Sequence, residues 1–145
     1  MPQIGPAFFR SHPHMRDRRG AYVFGVRSGG GMTPIYVGEA TRSYQQECFT
    51  ADKAGKYTLG LSFYRRGTPV IFFVTSPKKK GPVNRKVIHD LEEFLIQNAK
   101  AKNPELVNKQ GAGEANWGIV GVIRSSSGQP SRAARALKGM IGLGK

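Results

Sequence analysis

The strongest structural signal in the sequence is an amphipathic helix over residues 83–100. Apolar residues recur there with a period of about 3.6, the period of one face of an α-helix; they are Val83, Val87, Ile88, Leu91, Leu95, Ile96 and Ala99. Pro82 suits the first turn, and Pro104 ends the helix because proline disfavours helical backbone in the residue before it. A helix of this kind flanks another layer of secondary structure in the same domain.

Three short segments predict that this layer is a sheet. Residues 21–26 are rich in aromatic and β-branched side chains, which is typical of a strand. Residues 34–38 follow as a hairpin partner after the glycine-rich turn at 28–31. Residues 69–75 are almost wholly apolar, which predicts a strand at a central, buried position. We therefore expect an α/β fold with a small, largely antiparallel central β-sheet flanked by helices.

The rest of the chain is predicted to complete one domain. Residues 43–61 are expected to be helical, residues 117–123 to form a strand and residues 133–141 a terminal helix. Residues 1–19 contain three prolines and no apolar periodicity, which favours an extended basic arm without regular structure. The 145 residues are then divided into this arm and a single domain over 20–145 that ends in a basic C-terminal extension.

The charge of the chain indicates its partner. Twenty-three Lys and Arg against nine Asp and Glu leave a formal net charge of +14. Nucleic acid is the favoured partner, because binding to phosphates releases condensed counterions. A merely solvated basic surface remains the alternative. Residues 70–74, the longest apolar run, are far shorter than the roughly 20 residues of a membrane span, and no signal-peptide core is present, so we expect a cytoplasmic protein.

Cysteine and histidine usage excludes several kinds of site. Cys48 is the single cysteine, which excludes an intramolecular disulfide and a cysteine-based zinc cluster. A nucleophilic pair of Cys48 with His89 is possible on paper, but Cys48 lies on the apolar stripe of its segment and is interpreted as a small buried hydrophobe. Three histidines are too few for a closed zinc site built on imidazoles.

Helix geometry selects one carboxylate as a functional candidate. Glu92 has Ile88, Leu95 and Ile96 at positions one turn away, so it faces the apolar side of the helix or its border. Burying a carboxylate there is costly without a cation or a hydrogen-bond partner. Glu93 belongs to the solvent face. The alternative is that Glu92 pairs with a structural Arg or Lys.

Four motifs occur in an order that resembles a known nuclease family. Gly20-Ala21-Tyr22 lies on the first strand, Tyr36-Val37-Gly38 on the second, Glu92 on the helix, and Pro104 precedes Asn108 by four residues. This set resembles the GIY-YIG nuclease family over about residues 20–110. The resemblance implies a metal-dependent DNA endonuclease or nickase that hydrolyses phosphodiester bonds, with double-stranded DNA as the partner.

The resemblance also assigns roles to residues. Glu92 is expected to hold Mg²⁺ or Mn²⁺, which prefer oxygen ligands and neutralise charge on the phosphate. Tyr22 is expected to activate water directly or through Tyr36. A phenol has a pKa near 10, so this role needs nearby cations that lower it. Arg42, with Lys53 as the weaker candidate, is expected to clamp the scissile phosphate.

Further residues are expected to bind the nucleic acid. The resemblance implies that Gly38 and Asn108 belong to the nucleic-acid-binding residues. Asn108 is expected to hold phosphate or orient the site, and taken alone it is interpreted as a loop-capping residue. The basic loop and C-terminal extension are expected to position the duplex through backbone contacts, which give affinity but little sequence information; they include Lys78, Lys79, Lys80 and Arg124. Because the chain is small, either a homodimer or a second protein is expected to supply specificity.

The chain also departs from the family pattern. Family members usually carry an arginine about eight residues after the second glycine, where this chain has Gln46, and Arg42 lies one turn earlier. This favours, as an alternative, a non-catalytic nucleic-acid-binding module with the same fold. A third interpretation is a small basic structural protein in which Tyr22, Tyr36 and Glu92 do not converge. His89 is either a partner that orients Glu92 or a partly exposed polar residue.

Overall fold

A three-stranded antiparallel sheet forms the centre of the molecule. The computed structural model describes residues 7–64, 66–108 and 132–141. Within them the strands are β1 (Gly20–Ser28), β2 (Gly31–Ala40) and β3 (Thr68–Thr75), in the order β2-β1-β3. The predicted α/β class with a small antiparallel sheet is confirmed. Among the described strands the predicted central position for residues 69–75 is wrong, because β1 lies between its two neighbours and β3 at one edge.

The β1–β2 hairpin places the two motif tyrosines on the same face. Tyr22 lies opposite Gly38, and Tyr36 lies opposite Phe24. Only two residues form the turn, since Ser28 already pairs with Gly31. Most residues between the two tyrosines therefore belong to the paired strands and not to the turn. A register shift after Phe24 leaves one extra residue on β2.

Five α-helices and one 3₁₀ turn accompany the sheet in the described residues. They are α1 (Phe8–Ser11), α2 (Tyr44–Glu47), α3 (Ala51–Leu61), α4 (Arg85–Lys102) and α5 (Arg132–Met140), with a 3₁₀ turn at Pro13–Met15. The Asn84 side chain accepts from the Val87 amide at 3.3 Å and caps α4, so Pro82 lies outside the helix that we expected it to start. The predicted end at Asn103 is confirmed.

Two of the predicted segments differ from the structure. Residues 43–61 form two helices, because Thr50 is extended and caps α3 through its side chain. The expectation that no regular element forms before residue 20 is wrong for residues 8–15, where Phe9 is buried against Phe49 and Phe73. The predicted strand at 117–123 lies outside the described residues, whereas the predicted terminal helix is confirmed by α5.

The two faces of the sheet pack against different helices. One face packs against α4 and α5 through Ala21, Val23, Val37, Leu91, Leu95, Ile96, Leu137 and Met140. The other face packs against α1, α2 and α3 through Phe9, Tyr22, Phe24, Tyr36, Tyr44, Cys48 and Tyr57. In the described ranges no helix combines the length and the apolar character that crossing a membrane requires.

Candidate functional site

A carboxylate–histidine cluster forms where α4 crosses β2. His89 Nδ1 lies 3.5 Å from Glu39 Oε2 and 3.7 Å from Glu92 Oε1. One ligand atom from each of the three residues lies within 4.8 Å of the other two. Glu39 reaches this place because it alternates with Gly38 on β2 and shares its face with Val37, which packs against α4.

The two carboxylates of this cluster lack a full counter-charge. Burial, followed by the charge of Glu39, raises the pKa of Glu92 to about 7, although His89 and Lys53 act in the opposite direction. Glu39 Oε2 is buried and accepts no hydrogen bond from the described residues. Within the same ranges the ion-pair partner of Glu92 is His89, so a structural Arg or Lys does not neutralise it as the alternative interpretation requires. A cation would relieve the repulsion between the carboxylates.

Tyr22 is enclosed beneath its neighbours. Its side chain has no exposed surface, and its ring covers Gly38 so closely that a Cβ at that glycine would overlap the ring. Its hydroxyl finds no hydrogen-bond partner among the residues that the structure describes. Burial is the main cause that raises the pKa of Tyr22, and the charge of Glu92 adds to it. Direct activation of water by Tyr22 is therefore not supported, because the phenol is shielded from solvent.

Tyr36 is the phenol that the cations surround. Lys53 Nζ donates to the Tyr36 hydroxyl at 2.9 Å, and the Nζ atoms of Lys53 and Lys56 each lie 5.2 Å from the ring centroid. The rings of Tyr22 and Tyr36 lie next to each other, with centroids 6.3 Å apart. The expected proximity of cations to a motif tyrosine is thus found at Tyr36 rather than at Tyr22.

Electrostatics connect the tyrosines with the carboxylate cluster. The tyrosines lie on the sheet face opposite to α4. Even so, Glu92 contributes to the raised pKa of Tyr22, and Lys53 lowers the pKa of Glu92. These effects place the groups within electrostatic range of one another. The interpretation in which Tyr22, Tyr36 and Glu92 do not converge stays an alternative.

The two candidates for the phosphate clamp differ in position. Lys53 contacts Tyr36, as described above. The Arg42 side chain is exposed, and only its backbone amide is fixed, by a 2.7 Å hydrogen bond to Glu47 Oε2. No described contact joins Arg42 to Tyr36 or Glu92. Gln46 lies at the position where the resembling family carries an arginine. Its Oε1 accepts a hydrogen bond from the Ser43 hydroxyl at 3.3 Å.

Asn108 is held against the outer edge of β2. Its Nδ2 donates to the Val37 carbonyl and its Oδ1 accepts from the Val37 amide, both at 2.8 Å. The adjacent Val107 amide donates to the Ile35 carbonyl at 2.9 Å. The carboxamide therefore satisfies both backbone groups of Val37 on the outer side of β2. In this way Asn108 positions the strand that carries Tyr36 and Glu39.

The basic loop after β3 is fixed from beneath by two arginines. Arg18 donates to the Ser76 carbonyl at 2.8 Å. The buried Arg19 donates to the carbonyl groups of Lys78 (at 3.0 Å) and Gly81. The lysine side chains of this loop, at positions 78–80, are all exposed. They are free to meet a phosphate backbone, whereas Arg124 lies outside the described residues.

Cys48 is a packing residue in the α2–α3 connection. It has no exposed surface, and its Sγ lies 3.8 Å from the Tyr57 hydroxyl. Burial raises the pKa of the Cys48 thiol to about 12, although the hydrogen bond with Tyr57 and the charge of Lys53 act to lower it. Such a thiol is not an activated nucleophile, which agrees with its interpretation as a small hydrophobe.

One member of the carboxylate cluster was not singled out by the sequence. Glu39 directly follows the second motif glycine, and its alternation along β2 indicates the face that meets the amphipathic helix. That alternation was the available signal. His89 was singled out as a partner of Glu92, and the structure places it beside that carboxylate. No family model, curated protein or solved structure matches this chain, so its function is judged from these residues and their geometry.

Proposed function

We propose that this protein is a metal-dependent DNA endonuclease or nickase of the GIY-YIG type. The observation that carries the proposal is the carboxylate pair of Glu92 and Glu39, together with Lys53, which contacts Tyr36 and whose charge acts on Glu92, in a strongly basic chain. Phosphodiester hydrolysis needs a polarised water, stabilisation of charge on the phosphate and support for the leaving oxygen. The chain holds groups suited to each of these needs.

The donor set fits a hard divalent cation. Glu92 and Glu39 offer carboxylate oxygens, and one of these is buried without a hydrogen bond among the described residues. Glu92 would hold Mg²⁺ or Mn²⁺, which bind through one or two carboxylates and retain several waters. When bound, the ion supplies charge neutralisation at the scissile phosphate.

Tyr36 is the phenol that we assign to the reacting water. Lys53 donates to its oxygen and fixes the orientation of the hydroxyl, while the adjacent ring of Tyr22 holds it laterally. Tyr22 acts through Tyr36. Of the two roles expected for Tyr22, direct and indirect, this is the indirect one. Such positioning lowers the activation barrier, because a group that is already oriented does not have to reorganise during the reaction.

The cations around Tyr36 and on the β3–α4 loop provide the phosphate contacts. Lys53 and Lys56 lie at the phenol, where a phosphate oxygen would approach. Arg42 is exposed and able to reach a backbone phosphate beside them. The exposed lysines at 78–80 would grip the duplex farther away. Together these groups would bind DNA largely without reading its sequence.

A non-catalytic nucleic-acid-binding module is the second candidate. Two observations favour it: the hydroxyl of Tyr22 is shut off from solvent, and Gln46 replaces the family arginine while Arg42 makes no described contact with the site. Under this alternative the basic surface binds DNA, and Glu92 only completes the carboxylate cluster. Salt dependence of binding is steep in both cases and does not separate them.

A plasmid-nicking assay separates the two candidates. We expect the protein to convert supercoiled DNA to open circles with added Mg²⁺ or Mn²⁺, and Glu92→Ala to abolish this while retaining DNA binding. Asp90→Ala is the matched control, since Asp90 lies on the same helix but pairs outward with Lys86 at 2.8 Å. Binding without metal-dependent nicking, and no effect of Glu92→Ala, would support the binding module.

A further inference from the structure

We propose that Glu39 and His89 complete, with Glu92, a three-residue site that prefers Mn²⁺, Co²⁺ or Zn²⁺ over Mg²⁺. The inference rests on the metal role proposed above for Glu92 and extends it to two more residues and to the class of ion. It follows from the arrangement of ligand atoms around His89 Nδ1, from the orientation of that imidazole and from a buried carboxylate oxygen that accepts no hydrogen bond among the described residues.

The two carboxylates lie on one ring nitrogen of His89 at nearly the spacing of a first coordination shell. Ligands that each sit about 2.1 Å from a metal are separated from each other by roughly 3.0–3.4 Å in octahedral or tetrahedral geometry. His89 Nδ1 is 3.5 Å from one Glu39 oxygen and 3.7 Å from one Glu92 oxygen. A contraction of a few tenths of an ångström would bring both His89–carboxylate distances to that spacing, and all three ligand atoms already lie within 4.8 Å of one another.

Glu93 orients the imidazole for this role. Its Oε1 forms an ion-pair contact 3.2 Å from His89 Nε2, while His89 Nδ1 faces Glu39 and Glu92. Metal-binding histidines nearly always donate their second ring nitrogen to a carboxylate or a carbonyl in this manner. The spacing of His89, Glu92 and Glu93 on one helix puts all three on neighbouring positions of a single face.

Glu39 supplies the observation that is hardest to explain without an ion. Its Oε2 is buried, faces His89 and accepts no hydrogen bond from the residues that the structure covers. A buried acceptor that receives no hydrogen bond is costly and calls for an explanation. An ion bound between Glu39 and Glu92 would satisfy this oxygen and offset the repulsion between the two carboxylates.

The nitrogen ligand decides which ions are preferred. Mg²⁺ is usually held by one or two carboxylates and keeps its waters, whereas imidazole suits Zn²⁺ and other transition metals. Three protein ligands leave further coordination positions of the ion open. The His89 side chain is half exposed, so the site is within reach of solvent. Such an open site could still bind a water or a phosphate oxygen, which keeps the inference compatible with nuclease activity.

Metal titration of the full-length protein tests the inference without DNA. After EDTA treatment and dialysis, the protein is titrated with Co²⁺ by absorbance and with Mn²⁺ by electron paramagnetic resonance, and Mg²⁺ is measured by competition. We expect one ion per chain. We expect His89→Gln and Glu39→Gln each to weaken Co²⁺ binding at least about tenfold, Glu93→Gln to weaken it by about 10–100-fold, and Asp90→Asn to leave it unchanged. His89→Gln should alter the Co²⁺ spectrum while Mg²⁺ affinity changes much less.

The outcomes separate this inference from the nuclease proposal. Unchanged Co²⁺ and Mn²⁺ binding in folded His89→Gln and Glu39→Gln variants, or no binding by the natural protein, would overturn it and leave His89 as an ion-pair partner only. Circular dichroism establishes that each variant is folded, and Glu93→Gln gives a second reading if another variant is not. Specific Co²⁺ binding without nicking would keep the metal site and reject the nuclease. Nicking with Mg²⁺, combined with Co²⁺ and Mn²⁺ binding that His89→Gln and Glu39→Gln leave unchanged, would keep the nuclease and reject the three-residue site.

Discussion

Replacing Glu92 with glutamine should remove a pH-dependent penalty on the stability of the metal-free protein. Burial and the neighbouring Glu39 raise the pKa of Glu92 from 4.5 to about 7. Between these values the folded state binds more protons than the unfolded state, so the free energy of unfolding falls as the pH rises. At about 1.4 kcal/mol per pH unit, this largely buried carboxyl costs up to about 3 kcal/mol once the pH is above 7.

Urea unfolding in EDTA between about pH 4 and pH 8 measures this penalty. The difference in unfolding free energy between Glu92→Gln and the natural protein should grow with pH by about 2–3 kcal/mol. Asp90→Asn, on the outer side of the same helix, should follow the natural protein. A difference that stays flat from about pH 4 to pH 8 would refute the argument, because Glu92 would then titrate like an ordinary surface carboxyl.

Three further predictions concern the surroundings of the site. Gly38→Ala should destabilise the fold by about 1–3 kcal/mol, because the added methyl group overlaps the ring of Tyr22, whereas Gly30→Ala has open space and should tolerate the methyl; equal losses in thermal unfolding would contradict this. Cys48 should resist a thiol reagent at neutral pH until the protein unfolds, since it is fully buried, and rapid labelling of the native protein would show otherwise. Asn108→Ala should cost about 1–3 kcal/mol through two lost hydrogen bonds to β2; weakened DNA binding with unchanged stability would assign Asn108 to the phosphate instead.

Local sequence patterns were sufficient to predict the secondary-structure elements that bury one face. The helix α4 follows from its apolar period, and the β1–β2 hairpin follows from two strand-like runs around a glycine turn. In both cases the information lies within about 20 consecutive residues. The position of β3 at the sheet edge was missed because an apolar run shows burial but not which strand lies beside it. That choice depends on contacts between distant segments.

The N-terminal segment shows how tertiary packing overrides local signals. Prolines and the lack of a period favoured an extended arm over residues 1–19. In the structure the ring centroids of Phe8 and Phe9 lie 5.6–6.5 Å from those of Phe49 and Phe73. Burying these aromatic rings stabilises a helical turn that the sequence of the segment alone does not favour.

The sequence predicted only part of the candidate site, because local patterns do not show contacts between distant segments. Glu92 was identified from its neighbours on one helix, and His89 from its position one turn before. Glu39 joins them only because α4 crosses β2 at that point, and neither local pattern contains the crossing. Likewise, the two tyrosines were both expected near cations, but only the packing decides that Lys53 reaches Tyr36 while Tyr22 is enclosed.

The most direct test of the central claim is the single-turnover nicking rate of Tyr36→Phe, measured alongside its DNA affinity. This substitution retains the ring and removes only the hydroxyl that Lys53 contacts. We predict metal-dependent nicking by the natural protein, a rate about 10²–10⁴-fold lower for the variant, and DNA affinity within about twofold. Nicking by Tyr36→Phe at the natural rate, or no metal-dependent nicking by the natural protein, would contradict the account.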